Sequence, residues 1–140
     1  ICHSVSLGFW IAGVSSGSEL EWTSQRDHVH LARITHARSF IQSEPPLICT
    51  RPELEKITHE IRCDLIKKLK EFDSKNPDEL ESRNLLFPSS KATAFFATAS
   101  LGNWIKLSKL IDDCGKELEF RNTLAKIVSI LKELFPNIIK

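Results

Sequence analysis

Four cysteines and five histidines are the residues of this chain best suited to chemistry, because thiolates and imidazoles act as nucleophiles and metal ligands. Their spacing argues against a metal site. No Cys-x-x-Cys pair occurs, and His28 and His30 would point to nearly opposite sides of a helix. The sequence also lacks a His-Glu-x-x-His motif and a glycine-rich phosphate loop. We therefore predict a protein that is not an enzyme, with no catalytic, cofactor-binding or metal-binding residues.

Cys49 and Cys114 are the candidates for a disulfide. Cys49 precedes the second of four predicted helices and Cys114 ends the third, so both lie at one end of the molecule if these helices are antiparallel. Cys63 falls on the polar side of the second helix, opposite its apolar residues. It is therefore either a free thiol or paired outside the core, with Cys2 or with another chain.

Four segments have helical patterns. Apolar residues recur every three or four positions in the second and fourth segments, which places them on one side of each helix. A capping box, Thr50 to Glu53, predicts the start of the second helix. The predicted helices cover residues 23–41, 50–72, 91–113 and 117–135. Their shared core is predicted to contain Leu54, Ile57, Ile61, Leu65, Leu124, Ile127, Leu131 and Leu134.

Linker lengths favour an up-down-up-down order, because the connections after the first and third helices are too short to run back along a helix. The predicted fold class is therefore all-α, an antiparallel four-helix bundle. Residues 22–140 form a single helical-bundle domain in this interpretation.

Residues 1–21 have two interpretations. The apolar run from Ser6 to Gly17 ends in small residues, as a truncated signal peptide would; the alternative is an irregular arm packed on the bundle. The run is too short to cross a bilayer, so we predict no membrane insertion. The formal charge of +1, from 19 basic and 18 acidic residues, argues against a nucleic-acid partner.

The segment Pro45-Pro46-Leu47-Ile48-Cys49, followed by an amphipathic helix, is similar to the mature start of erythropoietin-type cytokines. This resemblance implies a secreted four-helix-bundle ligand that binds cell-surface receptors through exposed helix faces. Two alternatives stay open. The chain could be a cytoplasmic adaptor or regulatory domain that binds a protein partner, or a carrier that holds an apolar small molecule in the bundle core. The sequence leaves the oligomeric state undetermined.

Overall fold

The computed structural model of the chain describes residues 4–33, 48–49, 51–69, 71 and 92–138. It combines strands and helices. In chain order the elements are strand β1 (Ser6–Ser15), helix α1 (Ser16–Ser24), strand β2 (His30–Arg33), a 3-10 turn (Pro52–Leu54), helix α2 (Glu55–Leu69), strand β3 (Ala92–Ser100), helix α3 (Leu101–Ser108), a second 3-10 turn (Lys109–Asp112) and helix α4 (Leu118–Leu134).

The three strands form an antiparallel sheet in the order β1-β3-β2. β3 lies in the centre, with Ser6 opposite Ser100 at one end of its pairing with β1. The register shifts between Ala12 and Val14, because Gly13 is an extra residue in β1. Its φ of 71° lies in the left-handed region, where glycine has no steric penalty.

The prediction of an all-α antiparallel four-helix bundle is wrong. The first predicted helix contains β2, and the first half of the third predicted helix is β3. Every second residue of β3 is buried, from Thr93 through Phe95 and Ala97 to Ala99. This two-residue period is that of a strand with one face on the core. β1 in turn lies within the segment that was interpreted as a signal remnant or irregular arm.

Helices α1, α3 and α4 cover one face of the sheet and build the core with it. Trp22 of α1 is fully buried, and its ring centroid lies 4.7 Å from that of Phe120 in α4. Trp104 of α3 is fully buried too and donates from Nε1 to the carbonyl oxygen of Leu7 at 3.2 Å. Ser100 ends β3 and caps α3, because its hydroxyl accepts from the backbone N–H of Asn103.

The fourth predicted helix exists as α4, with Phe120, Leu124, Ile127 and Leu131 in the core. The second exists as α2, but its apolar residues do not reach this core: Ile57 is 53% exposed. The cap at Thr50, the rest of the first predicted helix and the loop at 73–88 lie outside the described residues. No helix in the described part of the chain is long and apolar enough to cross a membrane.

Candidate functional site

The structure describes three cysteines, and all three carry free thiols: Cys49, Cys63 and Cys114. Cys49 is half-buried and contacts the carbonyl oxygen of Arg51, while Cys114 is exposed near that of Asp112. No disulfide is found among the described residues. The fold removes the antiparallel helix pair on which the Cys49–Cys114 bond depended. That bond stays a prediction, to be tested by non-reducing peptide mapping.

The histidines form no metal site in the part of the chain that the structure describes. No group of three or more histidine, cysteine, aspartate or glutamate side chains comes together there. His59 Nε2 lies 3.6 Å from Cys63 Sγ, one turn away on the exposed side of α2. His30 is the first residue of β2, His28 lies two residues before it, and His36 lies outside the described residues.

Residues 13–17 read Gly-Val-Ser-Ser-Gly and have the Gly-x-Ser-x-Gly spacing of a hydrolase nucleophile turn, which the sequence interpretation missed. The structure places Ser15 between a strand and a helix, as that motif requires. Two features argue against a nucleophile. Ser15 is 8% exposed, and its φ of −73° and ψ of 154° are ordinary extended values rather than a strained turn.

The Ser15 hydroxyl instead joins three elements. Its Oγ donates to Glu119 Oε2 of α4 at 2.5 Å and accepts from the Ser18 N–H at the start of α1. The Ser15 backbone N–H donates to the other Glu119 oxygen at 2.8 Å. Both oxygens of the carboxylate therefore hold β1 and α1 against α4. We assign Ser15 and Glu119 a positioning role for the groove beside them.

That groove lies between β1 and α4 and has a volume of about 380 Å³. This is within the range of small-molecule sites. Most of the wall is apolar, and the polar groups come from α4. The lining residues are Phe9, Trp10, Ile11, Ala12, Gly13, Val14, Ile48, Glu119, Asn122, Thr123, Lys126, Ile127 and Ile130.

The polar groups of the groove follow one side of α4. Glu119, Asn122, Thr123 and Lys126 are three, four and seven positions apart, so they lie above one another on the helix. Glu119 is occupied by Ser15. The other three side chains have no hydrogen-bond partner among the described residues, which leaves an amide, a hydroxyl and a cation available to a ligand.

Trp10 is among the residues that line the groove, but its ring lies on the other face of the sheet from α4, because its neighbours Phe9 and Ile11 face the core. It is 60% exposed, unlike Trp22 and Trp104, which are fully buried. Its ring centroid lies 6.2 Å from that of Phe96 on the neighbouring strand, which limits its orientation. The sequence interpretation did not place Trp10 on a strand, because it treated residues 6–17 as a signal remnant or an irregular arm.

Comparison of the sequence with protein-family models and with curated proteins finds no match. Comparison of the fold with solved structures does find matches. A crystal structure of thymidylate synthase X from Helicobacter pylori with FAD and dUMP superposes with a TM-score of 0.72 and 15% identity, over 91% of this chain and 68% of that one. A second structure of the Helicobacter pylori flavin-dependent enzyme with the same ligands also gives 0.72, with 12% identity, over 99% and 73%. This chain has the thymidylate synthase X fold.

These neighbours correct the functional predictions. The resemblance to helical cytokines is wrong, because the fold is a mixed α/β fold and not a helical bundle. The predictions of secretion, of a receptor-binding signalling ligand and of a non-enzyme are wrong too, since the two structures that superpose on this chain are those of a flavin-dependent thymidylate synthase. The alternatives, an adaptor domain or a carrier with a ligand in a bundle core, have no support either.

Proposed function

We propose that this protein binds a pyrimidine nucleoside monophosphate of the deoxyuridylate type, in the groove between β1 and α4. The likeness in fold over nearly the whole chain to enzymes that hold dUMP carries the proposal. The groove supports it chemically. Asn122 can hydrogen-bond a base edge or sugar, and Lys126 can pair with one phosphate group.

The flavin of the neighbouring structures fits the described groove less well. FAD carries a pyrophosphate and two ring systems. Lys126 is the only cation among the residues that line the described groove, so its donor set matches a single phosphate group. We therefore assign the mononucleotide to the groove and derive no chemical step from a flavin.

Calorimetric titration with dUMP, deoxyuridine and FAD tests this assignment. We expect dUMP to bind to the wild-type chain. Lys126→Gln should weaken dUMP binding about tenfold, or about 1.4 kcal/mol, and leave deoxyuridine unaffected. Lys132→Gln is the matched control, because Lys132 is exposed on the same helix and does not line the groove. Folded protein that binds no dUMP at millimolar concentration would overturn the proposal.

The catalytic step has its own assay. Protein that binds dUMP is incubated with FAD and the remaining substrates of flavin-dependent thymidylate synthesis, and thymidylate is measured directly. Formation of thymidylate would extend the proposal from binding to enzymatic activity. Binding of dUMP without product would restrict it to a nucleotide-binding protein with this fold.

A further inference from the structure

The groove between β1 and α4 runs along an edge of the sheet. Its wall contains six consecutive residues of β1, from Phe9 to Val14. Successive side chains of a strand point to opposite faces of the sheet, so six residues in a row can line one groove only where the backbone itself forms the wall. We call this backbone, residues 9–14, the β1 edge. Among the described strands β1 pairs with β3 alone, which leaves its other side without a strand.

Side chains, rather than a strand, satisfy the backbone of β1 near both of its ends. The carbonyl oxygen of Leu7 accepts from Trp104 Nε1 at 3.2 Å. The backbone N–H of Ser15 donates to a carboxylate oxygen of Glu119 at 2.8 Å. Both contacts use helices as partners for groups that a neighbouring strand would otherwise satisfy.

The backbone between these two ends has no such partner among the described residues. In an antiparallel pair, the backbone groups that point to one side recur at every second residue. Those of Phe9 and Ile11 therefore point to the same side as the carbonyl of Leu7. No hydrogen bond between them and another described element is found on that side. The β1 edge thus offers N–H and C=O groups to a ligand in the groove.

The composition of β1 suits pairing with a further strand. β1 has ten residues, about twice the usual strand length, and none of them is charged or a proline. Charged residues and prolines are the features that commonly keep an edge from pairing. The bulge at Gly13 interrupts the regular pattern, so pairing is expected over Phe9 to Ala12. Such an edge is a template for an extended chain.

The wall opposite the β1 edge fits a peptide of about five residues. The edge is about 16 Å long at the rise of a strand, and α4 covers a similar length from Glu119 to Ile130 at the rise of a helix. Lys126 lies near the middle of this wall and can pair with an acidic side chain. Ile127 and Ile130 offer apolar contacts on the same wall.

We propose that the β1 edge binds an extended segment of another protein as an additional strand, with an acidic residue of that segment beside Lys126. Backbone hydrogen bonds provide the affinity, and the side chains of α4 provide the selectivity. This proposal goes beyond the nucleotide site and does not rest on it. Because both ligands would occupy the same groove, a bound peptide would exclude dUMP.

A blocked five-residue peptide, Thr-Val-Glu-Val-Thr, tests strand addition by calorimetric titration without nucleotide. One analogue is N-methylated at its second and fourth residues and another at its third and fifth. Only one side of an added strand faces β1, so we expect one analogue to bind about tenfold more weakly and the other to bind like the unmethylated peptide. Equal affinities of the two analogues, or no binding of the unmethylated peptide at millimolar concentration, overturns the proposal.

Amide hydrogen exchange locates the bound peptide. We expect the amides of Phe9 and Ile11 to exchange about tenfold more slowly when the peptide saturates the chain. Gly8 and Trp10 are controls within the same strand, because their backbone groups point to β3, and their exchange should not change. Uniform slowing along β1, or none at Phe9 and Ile11, would show that the peptide does not pair with the β1 edge.

A charge variant tests the contact with α4. Lys126→Gln should weaken binding of the glutamate peptide several-fold and leave a peptide with glutamine in that position unaffected. Lys132→Gln is the matched control, because Lys132 is exposed on the same helix and outside the groove. A glutamate peptide indifferent to Lys126→Gln contradicts the placement of its acidic residue. Since dUMP titration measures nucleotide binding separately, either proposal can fail alone.

Discussion

At the scale of residues, the junction of Ser15 and Glu119 shows how a motif can mislead. The Gly-x-Ser-x-Gly spacing and the strand-to-helix context are both present, yet the hydroxyl is buried and engaged. The surroundings of Ser15 Oγ, rather than the motif, determine its role. A carboxylate that accepts from both a backbone N–H and a hydroxyl works as a brace between elements. Glu119 thereby fixes the end of β1 against α4.

Removing the Glu119 carboxylate should lower the free energy of unfolding. Glu119→Ala leaves the Ser15 N–H and hydroxyl without their acceptor, and hydrogen bonds to charged groups contribute about 1.5–3 kcal/mol. We expect a loss of that size in the free energy of unfolding, measured by denaturant titration. Glu133→Ala is the control, because Glu133 is exposed near the other end of α4. Equal stability of the two variants would show that Glu119 does not brace the fold.

At the scale of elements, α4 could be predicted from sequence and β3 could not. The helix has a strong apolar period and lies against the core, so pattern and structure agree. β3 is rich in alanine, which favours helices, and this composition hid the alternation of Thr93, Phe95, Ala97 and Ala99. Its place at the centre of the sheet decides its conformation. α2 has the period of a core helix but exposes it, because period alone does not specify the partner.

Two neighbouring residues of α4 have different surroundings, one in the core and one at the groove. Leu131 is fully buried, while Ile130 is 45% exposed at the groove. Leu131→Ala should lower the free energy of unfolding by about 2–5 kcal/mol, as truncations in a packed core do. Ile130→Ala should cost less than about 1 kcal/mol. Thermal or denaturant unfolding of the two variants measures the difference, and similar losses would contradict the placement of α4 on the sheet.

At the scale of the whole molecule, the fold depends on contacts between distant parts of the chain. β1 and β3 are paired although about 80 residues separate them. A pattern within a short stretch of sequence cannot predict a pairing over that distance. The groove could not be predicted from the sequence for the same reason. Trp10 comes from the start of the chain and Lys126 from its end, and they line one site only once the sheet is formed. The sequence contained the right residue types but not their proximity.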